Sequence, residues 1–183
     1  SQGCPDSWFH NKTTSTMDIY VDDFSLTTEP QYEAAIWKDL ERDIGFDDPA
    51  EPIRRMLGAN YTLEYDKGLT TFKVEMTEFL KDAVARYKRD LKIENLKPAH
   101  VPYTAEDYDD EETGKHASSA ASHLMKVLFP ARVGRPDFLT ATSILARRVS
   151  KWKTTHDTMM TQLFRYIETN ADMCLTGSLH END

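Results

Sequence analysis

Two adjacent carboxylates, Asp22 and Asp23, stand between two short runs of apolar, β-branched and aromatic residues, 17–21 and 24–28. That pattern reads as a β-hairpin with both acids at its tip. Paired oxygen donors on rigid strands suit magnesium, which takes one or two carboxylates, keeps several waters and binds substrate phosphates. Two such ions about 4 Å apart can activate a hydroxyl nucleophile and stabilise the leaving oxygen of an in-line phosphoryl displacement. A bare Asp-Asp pair is more often an exposed acidic turn, so the flanking sequence must carry the distinction.

Other clusters are weaker. Arg132, Arg135, Arg147, Arg148, Lys151 and Lys153, with Trp152 among them, could form a face that tracks a phosphate backbone, although helices with exposed cations are commonplace. The acidic run at 107–112 is similar to a calcium loop, but Glu112 occupies the position where such a loop requires glycine, so a solvated linker is the better reading. His116 and His123 are seven apart with no Cys or third His beside them, which favours surface or helix-end residues over a zinc site. Cys4 and Cys174 have no nearby base to activate a thiolate, and no spacing that indicates a disulfide framework. A reducing, intracellular compartment is the default that follows. Trp8 and Trp37 read as packing residues.

The elements that must position these groups are legible from periodicity. Pro30 opens a helix whose Trp37, Leu40 and Ile44 make one apolar stripe ending at Gly45, and this helix should pack on the first hairpin's sheet. Leu57-Gly58 leads into residues 61–65, a turn at Asp66-Lys67-Gly68, and residues 69–74, a second hairpin. Thr77 can cap the next helix, with Leu80, Val84, Tyr87 and Leu91 inside and Lys81, Arg86, Lys88 and Arg89 in water. Residues 97–115 are proline-containing and acidic, the best linker candidate. Three helices are expected beyond it, at about 116–132, 136–151 and 155–169, with Leu124 and Leu128, then Phe138, Leu145 and Val149, then Met159, Leu163 and Tyr166 on their inner faces. Pro130 should end or kink the first of them. The division expected is therefore 1–96, a linker at 97–115, a helical unit at 116–171 and a tail at 172–183.

Length and charge bound the reading. A chain of 183 residues can bury one sizeable core or two small ones. No apolar run approaches the roughly 18 residues that suggest a membrane span. Residues 1–114 carry 13 basic and 25 acidic side chains, while residues 115–167 carry 9 basic and 2 acidic, so the net charge of −9 conceals one basic segment. The opening Ser-Gln-Gly-Cys-Pro has no initiator Met and no signal-peptide character, which is how a cut from a longer reading frame would look.

Several short motifs occur in one order. Tyr20-Val21-Asp22-Asp23 resembles the YVDD turn of reverse transcriptases, and Leu57-Gly58 before a hairpin resembles the FLG element of the copia-type retrotransposon polymerases. Lys97-Pro98 with Val101-Pro102 looks like that family's KPxxTP stretch, Arg135-Pro136-Asp137 followed by Leu145-Ala146-Arg147 like its RPD helix, and His156 with Arg165-Tyr166-Ile167 like the helix preceding ribonuclease H.

The resemblance implies an α+β fold: a partial polymerase palm of two β-hairpins with packed helices, followed by a mostly helical thumb and connection unit. It implies Asp22 as principal metal ligand and Asp23 as supporting carboxylate, with Mg2+ or Mn2+ as the cofactor. Tyr20 and Val21 would line the active-site floor, and Leu57 and Gly58 would steady the primer end. Arg132, Arg135, Arg147, Arg148, Lys151 and Lys153 would face the nucleic-acid backbone. Partners would be an RNA template, a DNA primer and nucleoside triphosphates, with no membrane and an undefined oligomeric state. The family also needs an aspartate from an earlier palm strand, and only 21 residues precede Asp22, so the isolated chain is expected to be inactive. The alternatives are a catalytically dead relic or a nucleic-acid binding module.

Overall fold

The structure, a computed structural model, describes residues 7–21, 23–104 and 112–180. The described residues form an α+β protein with five α-helices and two antiparallel sheets. The chain divides into two compact units between Met56 and Leu57.

In the first unit, β1 (Ser7–His10), β2 (Ser15–Tyr20) and β3 (Asp23–Thr27) form an antiparallel sheet in that order. A hairpin is present as β2 and β3, but one residue out of the expected register: Met17 is opposite Leu26 and Tyr20 opposite Asp23, so Asp23 belongs to β3 and Val21, expected in the first arm, lies in the link. The strand β1 was not legible, because its Trp8 and Phe9 are both exposed and no alternation marks an inner face. Trp8 stacks on His10 with ring centroids 5.3 Å apart.

The helix α1 (Pro30–Asp43) starts at its proline and gives way to Gly45, whose φ of 75° is the left-handed conformation that ends helices. It buries no side chain fully. Trp37 and Leu40 are half-buried, but Ile44 is 57% exposed and lies past the last helical turn. An aromatic chain holds the helix end instead, with Phe46 edge-on to Phe24 at 5.4 Å and to Trp37 at 5.8 Å. Ser15 and Met17 are the only fully buried residues among those described in this unit. The two-residue β4 (Arg55–Met56) ends it.

The second unit carries β5 (Ala59–Asp66) and β6 (Leu69–Glu75), joined by the two-residue turn Lys67-Gly68. Both turn residues have positive φ, 47° and 79°, as the mirror-image hairpin turn requires. Then come α2 (Thr77–Leu91), α3 (Ala117–Val133), α4 (Leu139–Ala146) and α5 (Thr154–Thr169), with short 3-10 turns at Pro136–Phe138 and Val149–Lys151. Residues 175–180, inside the segment expected to be a tail, form β7 (Leu175–His180) paired antiparallel to β6.

One core joins elements on both sides of the 97–115 segment. Leu80, Val84 and Tyr87 of α2 meet Leu124 and Val127 of α3, Phe138, Leu145 of α4, and Met159, Leu163 and Ile167 of α5. At its centre Tyr87 stacks on Phe164, with centroids 3.9 Å apart and planes 4° from parallel. Burial pushes the Tyr87 hydroxyl up to about 12, and that hydroxyl shares a hydrogen bond with Thr161 at 3.0 Å.

Three local expectations are corrected. Thr77 is the first residue of α2, not its cap, and its hydroxyl donates to Glu75 instead. Pro130 does not end α3, which continues to Val133; the proline sits in the last turn, buried, and its carbonyl accepts the amides of Gly134 and Arg135. His123 is not at the surface. It is 1% exposed, edge-on to Tyr87 at 5.3 Å and to Phe164 at 6.1 Å, because its turn of α3 faces α2 and α5.

Candidate functional site

The carboxylate hairpin is built by strand pairing. Tyr20 ends β2 and pairs with Asp23, which begins β3, so two residues alone span the tip. Val21 takes a φ of 58°, a region that a β-branched side chain rarely enters, and is 84% exposed. Tyr20 is 56% exposed. Asp22 lies outside the described residues. Asp23 is exposed and lines a cleft of about 360 Å³ with Phe24, Glu33, Trp37, Arg54 and Arg55. The nearest other acid on the hairpin, Asp18, accepts a hydrogen bond from Ser7 across β1 and β2.

Among the described residues no group of three or more His, Cys, Asp or Glu side chains converges to hold a metal ion. Asp23, with Asp22 next to it in the chain, is a donor pair of the right chemistry for one magnesium ion that keeps several waters. It does not suffice for two ions, which need a further carboxylate from another element.

Leu57 and Gly58 make the turn that enters β5, with φ of 52° and 76°. A side chain at Gly58 would meet the Phe79 ring at 3.2 Å as well as straining the backbone, so this glycine has a local structural reason.

The six basic residues do not share one environment. Arg132, Arg147, Arg148 and Lys151 are exposed, at the last turn of α3, after α4 and on the following 3-10 turn. Lys153 is half-buried at the start of α5. Arg135 is 1% exposed. Its Nε and one terminal nitrogen donate to the two oxygens of Asp137, each at 2.9 Å, and its guanidinium lies 5.3 Å from the Phe138 ring. It therefore faces the core and is removed from any surface that could meet a phosphate backbone.

The remaining motif residues hold one another. Asp137 also accepts the Tyr166 hydroxyl at 2.9 Å. Burial works to raise the Asp137 carboxyl, but the hydrogen bonds from Arg135 and Tyr166 outweigh it and hold the group below the usual carboxylate range. The Tyr166 hydroxyl is pushed up, first by burial and then by that bond. Arg165 donates to the carbonyls of Lys97 at 2.7 Å and Pro98 at 3.1 Å, while Gln162 donates to the carbonyl of Val101 at 2.8 Å. Residues 97–101 are thus strapped along α5. His156 accepts the Lys153 amide at 2.8 Å through Nδ1, capping the first turn of α5.

Sequence reasoning missed Asp157. Its carboxylate accepts the Trp152 indole at 2.7 Å and the backbone amides of Lys115 at 2.6 Å and His116 at 3.2 Å, tying the entry of α3 to that of α5. Gly114 is required there, since a Cβ would stand 2.5 Å from the Lys153 carbonyl and 2.7 Å from the Trp152 ring. An acidic residue in a helix's first turn was the only available signal, and it is too common to single out.

No helix among the described residues is long and apolar enough to cross a membrane. Compared with protein-family models, with curated proteins and with solved structures, the chain matches none.

Proposed function

We propose that the chain is a portion of an RNA-directed DNA polymerase of the copia-type retrotransposons, contributing the metal-binding turn of a palm and part of its thumb and connection. The observation that carries this is the hairpin tip. Tyr20 and Asp23 are a cross-strand pair, the link between them is two residues long, and Asp23 opens exposed beside a cleft. A polymerase turn has the same requirement, a carboxylate pair fixed by strands and open to solvent. Support also comes from the second unit, where the RPD, KP and RY residues engage one another directly across α5.

On this reading Asp22 and Asp23 hold one Mg2+ or Mn2+ weakly. The isolated chain does not extend primers, because the second ion has no further carboxylate ligand among the described residues. The test is metal binding as well as activity. Manganese titration followed by the ion's electron paramagnetic resonance signal should show a weak site that Asp22→Asn with Asp23→Asn removes, while primer extension stays at background. Retention of the site in that double variant refutes the turn as the ligand.

A second reading, a nucleic-acid binding module without chemistry, is favoured by the exposure of Arg132, Arg147 and Lys151. It requires salt-sensitive binding to an RNA–DNA hybrid that survives the double aspartate variant and weakens in Arg132→Ala with Arg147→Ala.

A further inference from the structure

The sheet of the second unit has one apolar face that outruns its core. Cross-strand rows place Tyr61, Val74 and Leu175 side by side, then Leu63 with Phe72 and Gly177, then Tyr65 with Thr70 and Leu179. Val74 at the inner end is 4% exposed, but exposure rises outward to 37% at Phe72, 63% at Leu179 and 76% at Tyr65. Among the described residues the strand β7 ends the sheet. Natural edge strands are commonly blunted by Lys, Pro, a bulge or a covering element. The sequence of β7, Leu-Thr-Gly-Ser-Leu-His, has neither Lys nor Pro, and it pairs with β6 in unbroken register.

The residues of this edge also say what fits it. Leu175-Thr176-Gly177-Ser178-Leu179 is a chemical palindrome about Gly177. An antiparallel two-fold axis through Gly177 sets Leu175 opposite Leu179 of the second copy, Thr176 opposite Ser178, and Gly177 opposite itself. Directly opposed residues share a face, so this register keeps the apolar face continuous from one copy into the next. A two-fold interface needs this reciprocity, in which each contact of residue i with residue j is repeated as j with i. We propose that β7 is a self-association edge, pairing with β7 of a second copy of this chain in a two-fold register centred on Gly177. Six residues span about 20 Å. Such an edge covers less than the roughly 800 Å² per partner of a standard interface. The pairing is therefore a concentration-dependent equilibrium and not an obligate dimer.

The experiment is sedimentation equilibrium of the full chain over a wide concentration range, with circular dichroism as the check on folding. The native chain should show a monomer–dimer equilibrium. Gly177→Lys sets two like charges against each other on the axis, and a Cβ there meets nothing within 4 Å inside one copy. It should weaken dimerisation at least tenfold. The register is tested by charge pattern: Leu175→Lys with Leu179→Lys should be monomeric, whereas Leu175→Lys with Leu179→Glu should regain the dimer, because each Lys then faces a Glu. If Gly177→Lys disturbs the fold, Gly177→Cys in a chain also carrying Cys4→Ser and Cys174→Ser decides the matter. Mild oxidation should cross-link it across the axis. A monomer at every concentration, a dimer indifferent to the charge pattern, or a Gly177→Cys chain that does not cross-link overturns the proposal.

Discussion

Asp137 should be among the most sensitive positions in the second unit. Asp137→Ala removes the carboxylate that accepts two bonds from Arg135 and one from the Tyr166 hydroxyl, all at 2.9 Å. Arg135 is 1% exposed, so its charge is left in the core with only the Phe138 ring beside it. Breaking a buried ion pair by removing one partner costs about 3–5 kcal/mol. For a chain of this size each kcal/mol lowers the melting temperature by about 2–4 °C, giving a fall of roughly 6–20 °C. Urea unfolding and thermal melts followed by helix circular dichroism measure this, because α2 to α5 all belong to the affected unit. Arg135→Met with Asp137→Leu removes both charges together and should be more stable than Asp137→Ala, since the loss in the single variant is mainly the stranded cation. A single variant within about 1 kcal/mol of the native chain, or a double variant less stable than the single, refutes the account of Asp137 as the counter-charge of a buried arginine.

His123 gives a pH dependence of defined sign. Burial lowers its pKa; Asp90 works the other way, at 3.8 Å from the ring, while Arg86 and His116 reinforce the lowering. The unfolded chain then binds the proton more readily, so the stabilisation is complete above about pH 6.5 and declines below it by at most about 1.4 kcal/mol per pH unit. His123→Phe should flatten the fall in urea midpoint between pH 6.5 and 5, and an unchanged slope would exclude His123 as its source. Gly114→Ala forces a Cβ to within 2.5 Å of the Lys153 carbonyl and should lose about 1–3 kcal/mol, read by denaturant titration. Arg165→Ala removes the donors to the Lys97 and Pro98 carbonyls, so amide exchange and protease cleavage across residues 97–101 should rise at least severalfold while the melting temperature changes little.

Local chemistry wrote several elements directly into the sequence. Lys67-Gly68 is legible as a hairpin turn because only a residue pair tolerant of positive φ closes β5 on β6 in two residues. The stripe of Leu80, Val84 and Tyr87 is legible because a helix repeats every 3.6 residues and one face of α2 lies on a core. The first hairpin is legible for the same kind of reason, two strand-like arms leaving a tight link, but its register is not: the arms put both acids in the link, whereas Tyr20 pairs with Asp23 and Val21 takes the turn. Where the outcome depended on partners distant in the chain, sequence was silent or misleading. The strand β7 has no buried residue, so no alternation could mark it, and its identity as a strand comes from pairing with β6. His123 and Arg135 read as surface groups because nothing in a linear sequence says which turn of a helix another helix will cover. Tertiary packing buried both, bringing the Tyr166 hydroxyl to the Asp137 carboxylate that pairs with Arg135 and setting His123 beside Asp90. Turns, periodicities and charged groups are thus written in the order of the residues, whereas the choice of which charged groups stay at a surface to do chemistry rests on packing, because burial is set by contacts between elements and not by any residue's neighbours in the chain.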